Sequence, residues 1–125
     1  MPGRHNPERY SDGTGRPPRE QEDRIAGRLG GVRVRGSGAS QYSKGDVRNV
    51  SVDDLKFLVE CKQTQKASIS IKWSWLKKIM AEADAKQCEP AVAIEIQGGE
   101  DDPRTDRDWI LVPARVWEKM RCRND

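Results

Sequence analysis

A chain of 125 residues with an apolar share of 34% can form one domain with a modest core. Its formal net charge of +3 is only mildly basic, so charge alone does not establish nucleic-acid binding. Three widely spaced cysteines and one histidine argue against a disulfide framework and a structural zinc site, and no apolar run is long enough for a membrane span. We therefore expect a soluble protein of a reducing cytoplasm.

The amino-terminal region is predicted to be a flexible basic tail over 1–19, since it is rich in proline, glycine and arginine and has no apolar periodicity. This tail either follows a phosphate backbone or only solubilises the chain. A helix is predicted over 19–29, because acidic residues come early, basic residues come late and a double glycine follows. Its acids, Glu22 among them, either border the thin buried face or only complement the helix N-terminus.

A short strand and a loop of small residues come next. Valine and arginine alternate over 32–35, which predicts that the valines face inward and that Arg33 and Arg35 face solvent. The arginines either contact phosphates or keep an edge strand soluble. The loop over 36–45 is rich in glycine and serine, whose amides and hydroxyls can approach a phosphate closely, and Lys44 adds positive charge.

A β-hairpin is the central feature of the sequence, with strands predicted over 47–52 and 55–62 and an Asp-Asp turn between them. Alternation gives the second strand two faces: Phe57, Val59 and Cys61 on one, and Leu58, Glu60 and Lys62 on the other. Asp46, just before the first strand, can meet Glu60 near one end of the hairpin. Two carboxylates with Lys62 beside them form a candidate Mg²⁺ site and include a group that can orient water.

The following helix is predicted over 73–86 from apolar residues at helical spacing. Its core face would consist of Trp73, Leu76, Met80 and Ala83, with Ile79 beside them. For the tryptophans Trp73 and Trp75, packing in the core or in a dimer is preferred over base stacking.

The carboxyl-terminal part predicts strands over 91–96 and 109–112 and a last helix over 114–121. The buried side of that helix would be Val116, Trp117 and Met120. Glu95, within the first of these strands, is assigned a structural role in preference to that of a third acid at the site. Together the elements predict an α/β domain with a mixed central sheet flanked by helices.

The ordered set of a helix acid, a Gly/Ser loop at 36–40, Asp46 and a strand-borne Glu60-x-Lys62 resembles the PD-(D/E)XK nuclease superfamily. Within it the chain is most similar to archaeal-type and phage Holliday junction resolvases, over residues 20–120. The resemblance implies a restriction-endonuclease-like nuclease domain over 20–121 that resolves four-way DNA junctions by paired nicks. It also implies Mg²⁺, for which Mn²⁺ can substitute, a homodimer, and the cytoplasm of a bacterial, archaeal or phage-infected cell.

The same resemblance assigns roles to individual residues. Asp46 and Glu60 would hold the metal, with the Cys61 backbone carbonyl as a third oxygen. Lys62 would orient the attacking water, and Glu22 would complete the site. The implied DNA contacts are Arg33, Arg35, Ser37, Ser40, Lys44 and Gln63.

The chain departs from the family pattern at Gly45, which replaces the proline that usually precedes the aspartate. This leaves the loop more flexible but retains the ligand, Asp46. Two alternatives remain open at this point. One is a related nuclease that acts on flaps, nicked duplex or linear duplex; the other is a non-catalytic nucleic-acid-binding module in which Asp46, Glu60 and Lys62 form only a solvated ion pair.

Overall fold

The structure is a computed structural model that describes residues 18–34, 46–100 and 106–123. Within these residues the chain forms three helices and five strands in the predicted order. They are α1 (Pro18–Leu29), β1 (Val32–Arg33), β2 (Val47–Val52), β3 (Leu55–Thr64), α2 (Trp73–Ala85), β4 (Glu89–Ile96), β5 (Asp108–Leu111) and α3 (Ala114–Arg123). Most of the tail over 1–19 and the loop over 35–45 lie outside the described residues.

The five strands form one sheet in the order β1-β2-β3-β4-β5. The β3–β4 pair is parallel and the other pairs are antiparallel, so the sheet is mixed as predicted. Parallel neighbours need a crossover connection, and α2 supplies it between β3 and β4. The predicted hairpin is confirmed, because β2 and β3 pair through a turn at Asp53, whose φ of 54° is left-handed.

Helices cover both faces of the sheet, which gives the domain two apolar cores. On one face α1 and α3 pack against the sheet, and this core comprises Ile25, Ala26, Val47, Val50, Leu55, Phe57, Val59, Ala91, Ala93 and Val116. On the other face α2 packs against the sheet, and this core comprises Leu58, Ile79, Ala83, Val92 and Ile94. The alternation predicted for β3 is confirmed, since Phe57 and Val59 contribute to the first core and Leu58 to the second.

Helix α1 ends at the double glycine, as the sequence predicts. Gly30 takes a left-handed φ of 74°, and the Gly31 N–H donates to the Ala26 carbonyl over 2.8 Å. These are the features of a glycine-terminated helix. No helix in the described ranges is long and apolar enough to cross a membrane.

Three predictions of burial are wrong. Val32, in an edge strand of two residues, is 48% exposed, and Trp73 and Trp117 are each 64% exposed. The buried face of α2 is centred on Ile79 and Ala83, and Trp73, in the first turn, only lines an open apolar pocket beside Ile79. On α3 the packed residues are Val116 and, in part, Met120, which are one helical turn apart, so Trp117 points away from their face.

Candidate active site

Asp46 is held against β3 at the point where β2 begins. Its backbone N–H donates to the Val59 carbonyl over 2.9 Å, and its carboxylate accepts a 2.7 Å hydrogen bond from the Cys61 N–H. The Asp46 side chain, which directly precedes β2, therefore lies against the edge of β3. This contact brings the Asp46 carboxylate next to Glu60, as the hairpin predicts.

Glu60 lies on the face of β3 that α2 covers, and only 8% of the residue is exposed. Two ammonium groups approach its carboxylate: Lys62 Nζ lies 3.6 Å from Oε2, and Lys78 Nζ lies 3.5 Å from Oε1. Burial and the neighbouring Asp46 raise the pKa of Glu60, while Lys78 and Lys62 act in the opposite direction. The two lysines therefore only partly compensate the Glu60 carboxylate for its burial, and the net effect on its pKa is upward.

Glu22 of α1 belongs to the same electrostatic group. Burial raises the pKa of Glu22 to about 7, and Asp46 contributes the next largest effect in that direction. Arg33 lowers it, whereas Asp23 and Glu60 raise it further. Acids from α1, from the start of β2 and from β3 therefore repel one another, and a divalent cation between them would relieve that repulsion.

The donor set suits a hard cation that keeps part of its water. Among the described residues, no three His, Cys, Asp or Glu side chains form a ready ligand cluster. Mg²⁺ is usually held by only one or two carboxylates and several waters, and Asp46 with Glu60 fits that requirement. The Cys61 N–H points at Asp46, and the N–H and C=O of one strand residue face the same side, so we expect the Cys61 carbonyl there too.

The Cys61 thiol has a packing role. It contacts the core under α1, and burial, followed by the Asp46 charge, raises the pKa of the thiol. A buried neutral thiol is a poor nucleophile and a poor metal ligand. The predicted orientation of Cys61 toward the core is confirmed.

Two residues at this site are absent from the sequence predictions. Gln21 is 1% exposed, and its Nε2 donates to the Lys62 carbonyl over 2.7 Å and to the Ala93 carbonyl over 3.4 Å. It fastens α1 to β3 and β4 beside the candidate catalytic lysine. Its position four residues before buried Ile25 is the one signal that could have identified its burial.

Lys78 of α2 is the second missed residue. It pairs with Glu60 and, 3.1 Å away, with Glu82 one turn further along the helix. Partial burial would lower the pKa of Lys78, but the hydrogen bond with Glu82 and the charge of Glu60 outweigh it and raise the pKa. The sequence alone does not show which of Lys77 and Lys78 faces Glu60, because this depends on how α2 packs against β3.

Of the predicted DNA-contacting residues, two lie within the described part of the chain and four lie outside it. Arg33 does not stand free on a solvent face: 27% of its side chain is exposed, and its Nε bonds Asp23 over 2.8 Å. Gln63 accepts a 3.1 Å hydrogen bond from Gln97. Four further predictions lie outside the described residues, namely Arg35, Ser37, Ser40 and Lys44.

Glu95 has the structural role that the sequence analysis preferred. It is 1% exposed, and its Oε1 lies 3.0 Å from Nη2 of Arg24 in α1. The same guanidinium binds both carboxylate oxygens of Asp108 at the start of β5, over 2.8 and 3.0 Å. Arg24 thus fastens α1 to two strands, and this fixes the helix that carries Glu22.

Comparisons with known proteins agree with the fold. No protein-family model and no curated protein sequence matches the chain. Among solved structures, the fold is similar to that of Hjc, a Holliday junction resolvase from the archaeal hyperthermophile Archaeoglobus fulgidus, with a TM-score of 0.54. The match covers 79% of this chain and 97% of the resolvase at 16% sequence identity. At that identity the likeness establishes a shared α/β fold, with its mixed sheet flanked by helices.

Proposed function

We propose that this protein is a Mg²⁺-dependent endodeoxyribonuclease that resolves four-way DNA junctions by paired nicks. One observation supports the proposal: Asp46 is bonded to β3 at Cys61, next to Glu60, whose carboxylate lies 3.6 Å from Lys62, and Glu22 is near enough for the charges of both acids to raise its pKa. Metal-assisted phosphodiester hydrolysis requires carboxylates that hold a divalent cation and a group that orients water, and these acids and the lysine beside them can supply both. The likeness to a resolvase fold adds support.

Each side chain has a separate task in this proposal. Asp46 and Glu60 would hold the cation, with the Cys61 carbonyl as a further oxygen donor. Such a cation would neutralise the scissile phosphate and the developing charge on the 3′ oxygen, and Mn²⁺ should be able to replace Mg²⁺. Lys62, held beside the Glu60 carboxylate, would orient the attacking water.

Glu22 would complete the site, directly or through a water molecule. Without a cation its pKa of about 7 leaves a large fraction protonated near neutral pH. A divalent charge nearby would lower that pKa and return Glu22 to the carboxylate form. Its role is therefore tied to occupancy of the site by metal.

Paired nicks need two equivalent sites, so the proposal includes a homodimer with two-fold symmetry. Large apolar side chains support it, because Trp73, Trp109 and Trp117 are each more than 60% exposed. Exposed aromatic residues in such numbers are typical of protein interfaces.

The decisive experiment compares a labelled four-way junction with a linear duplex of matched sequence, with and without Mg²⁺. The wild type is assayed beside Glu60→Gln, which keeps the shape of the side chain and removes its charge. Glu118→Gln is the control, since Glu118 is an exposed acid on α3. Arg115 and Lys119 of the same helix pair with Glu89, which aligns with Phe57, three positions before Glu60 on β3.

Symmetric nicks in the junction alone, lost in Glu60→Gln and retained in Glu118→Gln, would support junction resolution at this site. Equal cutting of junction and duplex would retain the nuclease and reject the junction preference. DNA binding without cleavage in Mg²⁺ or Mn²⁺ would instead favour a non-catalytic module, in which Lys62 and Lys78 simply neutralise Glu60.

A further inference from the structure

A polar groove leads away from the candidate active site between the end of β3 and the start of α2. We call it the β3–α2 groove; its volume is about 370 Å³, and its lining includes Lys62, Thr64, Lys66, Ser68, Lys72 and Trp75. Lys62 belongs to both places, because its Nζ lies 3.6 Å from Glu60 and 4.7 Å from the centre of the Trp75 ring. The groove is therefore continuous with the site.

The charge of the groove has one sign. Lysines contribute three of the lining side chains, and no acid occurs among the described residues that line it. Hydroxyl and amide groups lie between the lysines and can donate hydrogen bonds to anionic oxygens. This combination suits a chain of phosphates better than a single compact anion.

Lys72 occupies an unusual place. It is the N-cap residue of α2 and makes no side-chain capping bond. Helix stability favours a serine, threonine, aspartate or asparagine at this position and disfavours a cation, because the helix N-terminus is already partly positive. The lysine thus concentrates positive charge at one end of the groove, where it does nothing for the helix.

Hydrogen bonds and close packing hold the wall of the groove in place. Backbone N–H groups of Gln97 and Gly98 donate to the carbonyls of Thr64 and Lys66 over 2.9 and 3.1 Å. A Cβ at position 98 would lie 2.5 Å from the Lys66 carbonyl carbon, so only glycine permits this approach. Arg107 braces the supporting strand end from behind by donating to the Ile96 carbonyl over 3.1 Å.

From these observations we infer that the β3–α2 groove binds the sugar-phosphate backbone of the DNA strand beside the scissile phosphate. The inference rests on the proposed nuclease function and adds to it a path for the substrate. Lys66 and Lys72 would each contact a phosphate, and the strand would then pass Lys62 to reach Asp46 and Glu60. An acidic protein segment would suit the charge, but not the continuity with a phosphodiester site.

The test uses DNA binding by the full chain carrying Glu60→Gln, so that bound substrate is not cut. Lys66→Gln/Lys72→Gln removes two charges from the groove. The control, Lys56→Gln/Lys86→Gln, removes two exposed charges at the start of β3 and just after the end of α2, away from the groove. All four lysines are exposed, so both double variants should fold, which circular dichroism verifies.

Binding to a labelled junction is followed by fluorescence anisotropy over a range of salt concentrations. Each lost phosphate contact lowers the slope of log K against log salt by about 0.9, so the groove variant should lose about 2 in slope. It should also bind at least about tenfold more weakly near 0.1 M salt, while the control should stay within about twofold of the parent.

Equal effects of the two double variants would overturn the groove inference, because they would show that only overall charge matters. Unchanged DNA binding by the groove variant would overturn it as well and would point to another anionic partner. Neither result would affect the nuclease proposal if the wild type still cleaves DNA. Failure of the wild type to bind any DNA would reject the proposed function and the groove inference together.

Discussion

Replacement of Arg24 by methionine should destabilise the domain strongly, because Arg24 is the cation that compensates two enclosed carboxylates. Its guanidinium binds Glu95, which is 1% exposed, and Asp108, whose side chain is 7% exposed. Methionine retains much of the packing of the arginine stem but removes every one of these bonds. Both carboxylates would then lose a directly bonded cation while staying largely removed from water.

Removing one partner of a buried ion pair typically costs about 3–5 kcal/mol. Arg24 is 29% exposed, Gln97 still donates to Glu95 over 3.3 Å, and Arg28 still lies 2.9 Å from Asp108, so part of the compensation survives. We therefore expect the lower end of that range, about 3 kcal/mol of unfolding free energy. In a domain of this size, such a loss lowers Tm by about 10–20 °C.

Urea and thermal unfolding, followed by circular dichroism, measure the effect. Arg115→Met is the matched control, because the ion pair of Arg115 with Glu89 is exposed, Lys119 also pairs with Glu89, and exposed pairs contribute little. In a Glu95→Gln background, Arg24→Met should cost clearly less, which gives a positive coupling energy in the double-mutant cycle. A loss below about 1 kcal/mol, or an equal loss in both backgrounds, would refute the claim that Arg24 compensates the buried acid.

Three further predictions concern the site itself. The pKa of Glu22 is raised from 4.5 to about 7, so its stabilising contribution is complete below pH 4.5 and is lost as the pH rises through 7. Urea unfolding in EDTA should show the free energy of unfolding of the wild type falling relative to that of Glu22→Gln between pH 4.5 and 7, by on the order of 1 kcal/mol because the group is partly exposed. A difference between the two proteins that does not change with pH over this interval would contradict the prediction. Gln21→Leu removes the donor to a partly buried carbonyl of β3 and a buried carbonyl of β4, and it should cost about 1–3 kcal/mol of unfolding free energy. It should also lower kcat more than it changes KM, and wild-type kinetics would exclude a positioning role. Lys78→Gln removes a cation 3.5 Å from Glu60 and should lower the Mg²⁺ concentration for half-maximal cleavage by about threefold or more, whereas Lys77→Gln should leave it unchanged.

Local patterns in the sequence were sufficient for the hairpin and for the acids it carries. Strict alternation in β3 determines that Glu60 and Lys62 share a face, because successive side chains of a strand point to opposite sides. The short turn after β2 sets the register as far as Val50, but the pairing then shifts before Val47. Asn49 takes a φ of 65° there, and this irregularity contributes to the position of Asp46. The hairpin and the acids proposed on it could therefore be derived from about twenty consecutive positions, whereas the shift in pairing could not.

Burial of the tryptophans could not be predicted in the same way. Helical periodicity shows that apolar residues share a side, but it leaves open how far the helix rotates against the sheet. The rotation of α2 against the sheet decides which apolar side chains are enclosed, and the structure encloses Ile79 and leaves Trp73 exposed. The same rotation brings Lys78, and not Lys77, to Glu60.

The sequence by itself determined the order of the elements, the two faces of β3 and the pairing of acids with a lysine, since each depends on the geometry of neighbouring residues. Only the tertiary structure decided which distant groups meet. Gln21 reaches Lys62 across 41 positions and Arg24 reaches Asp108 across 84. Such contacts depend on how α1 lies across the sheet, which is a property of the packed domain and not of any local pattern.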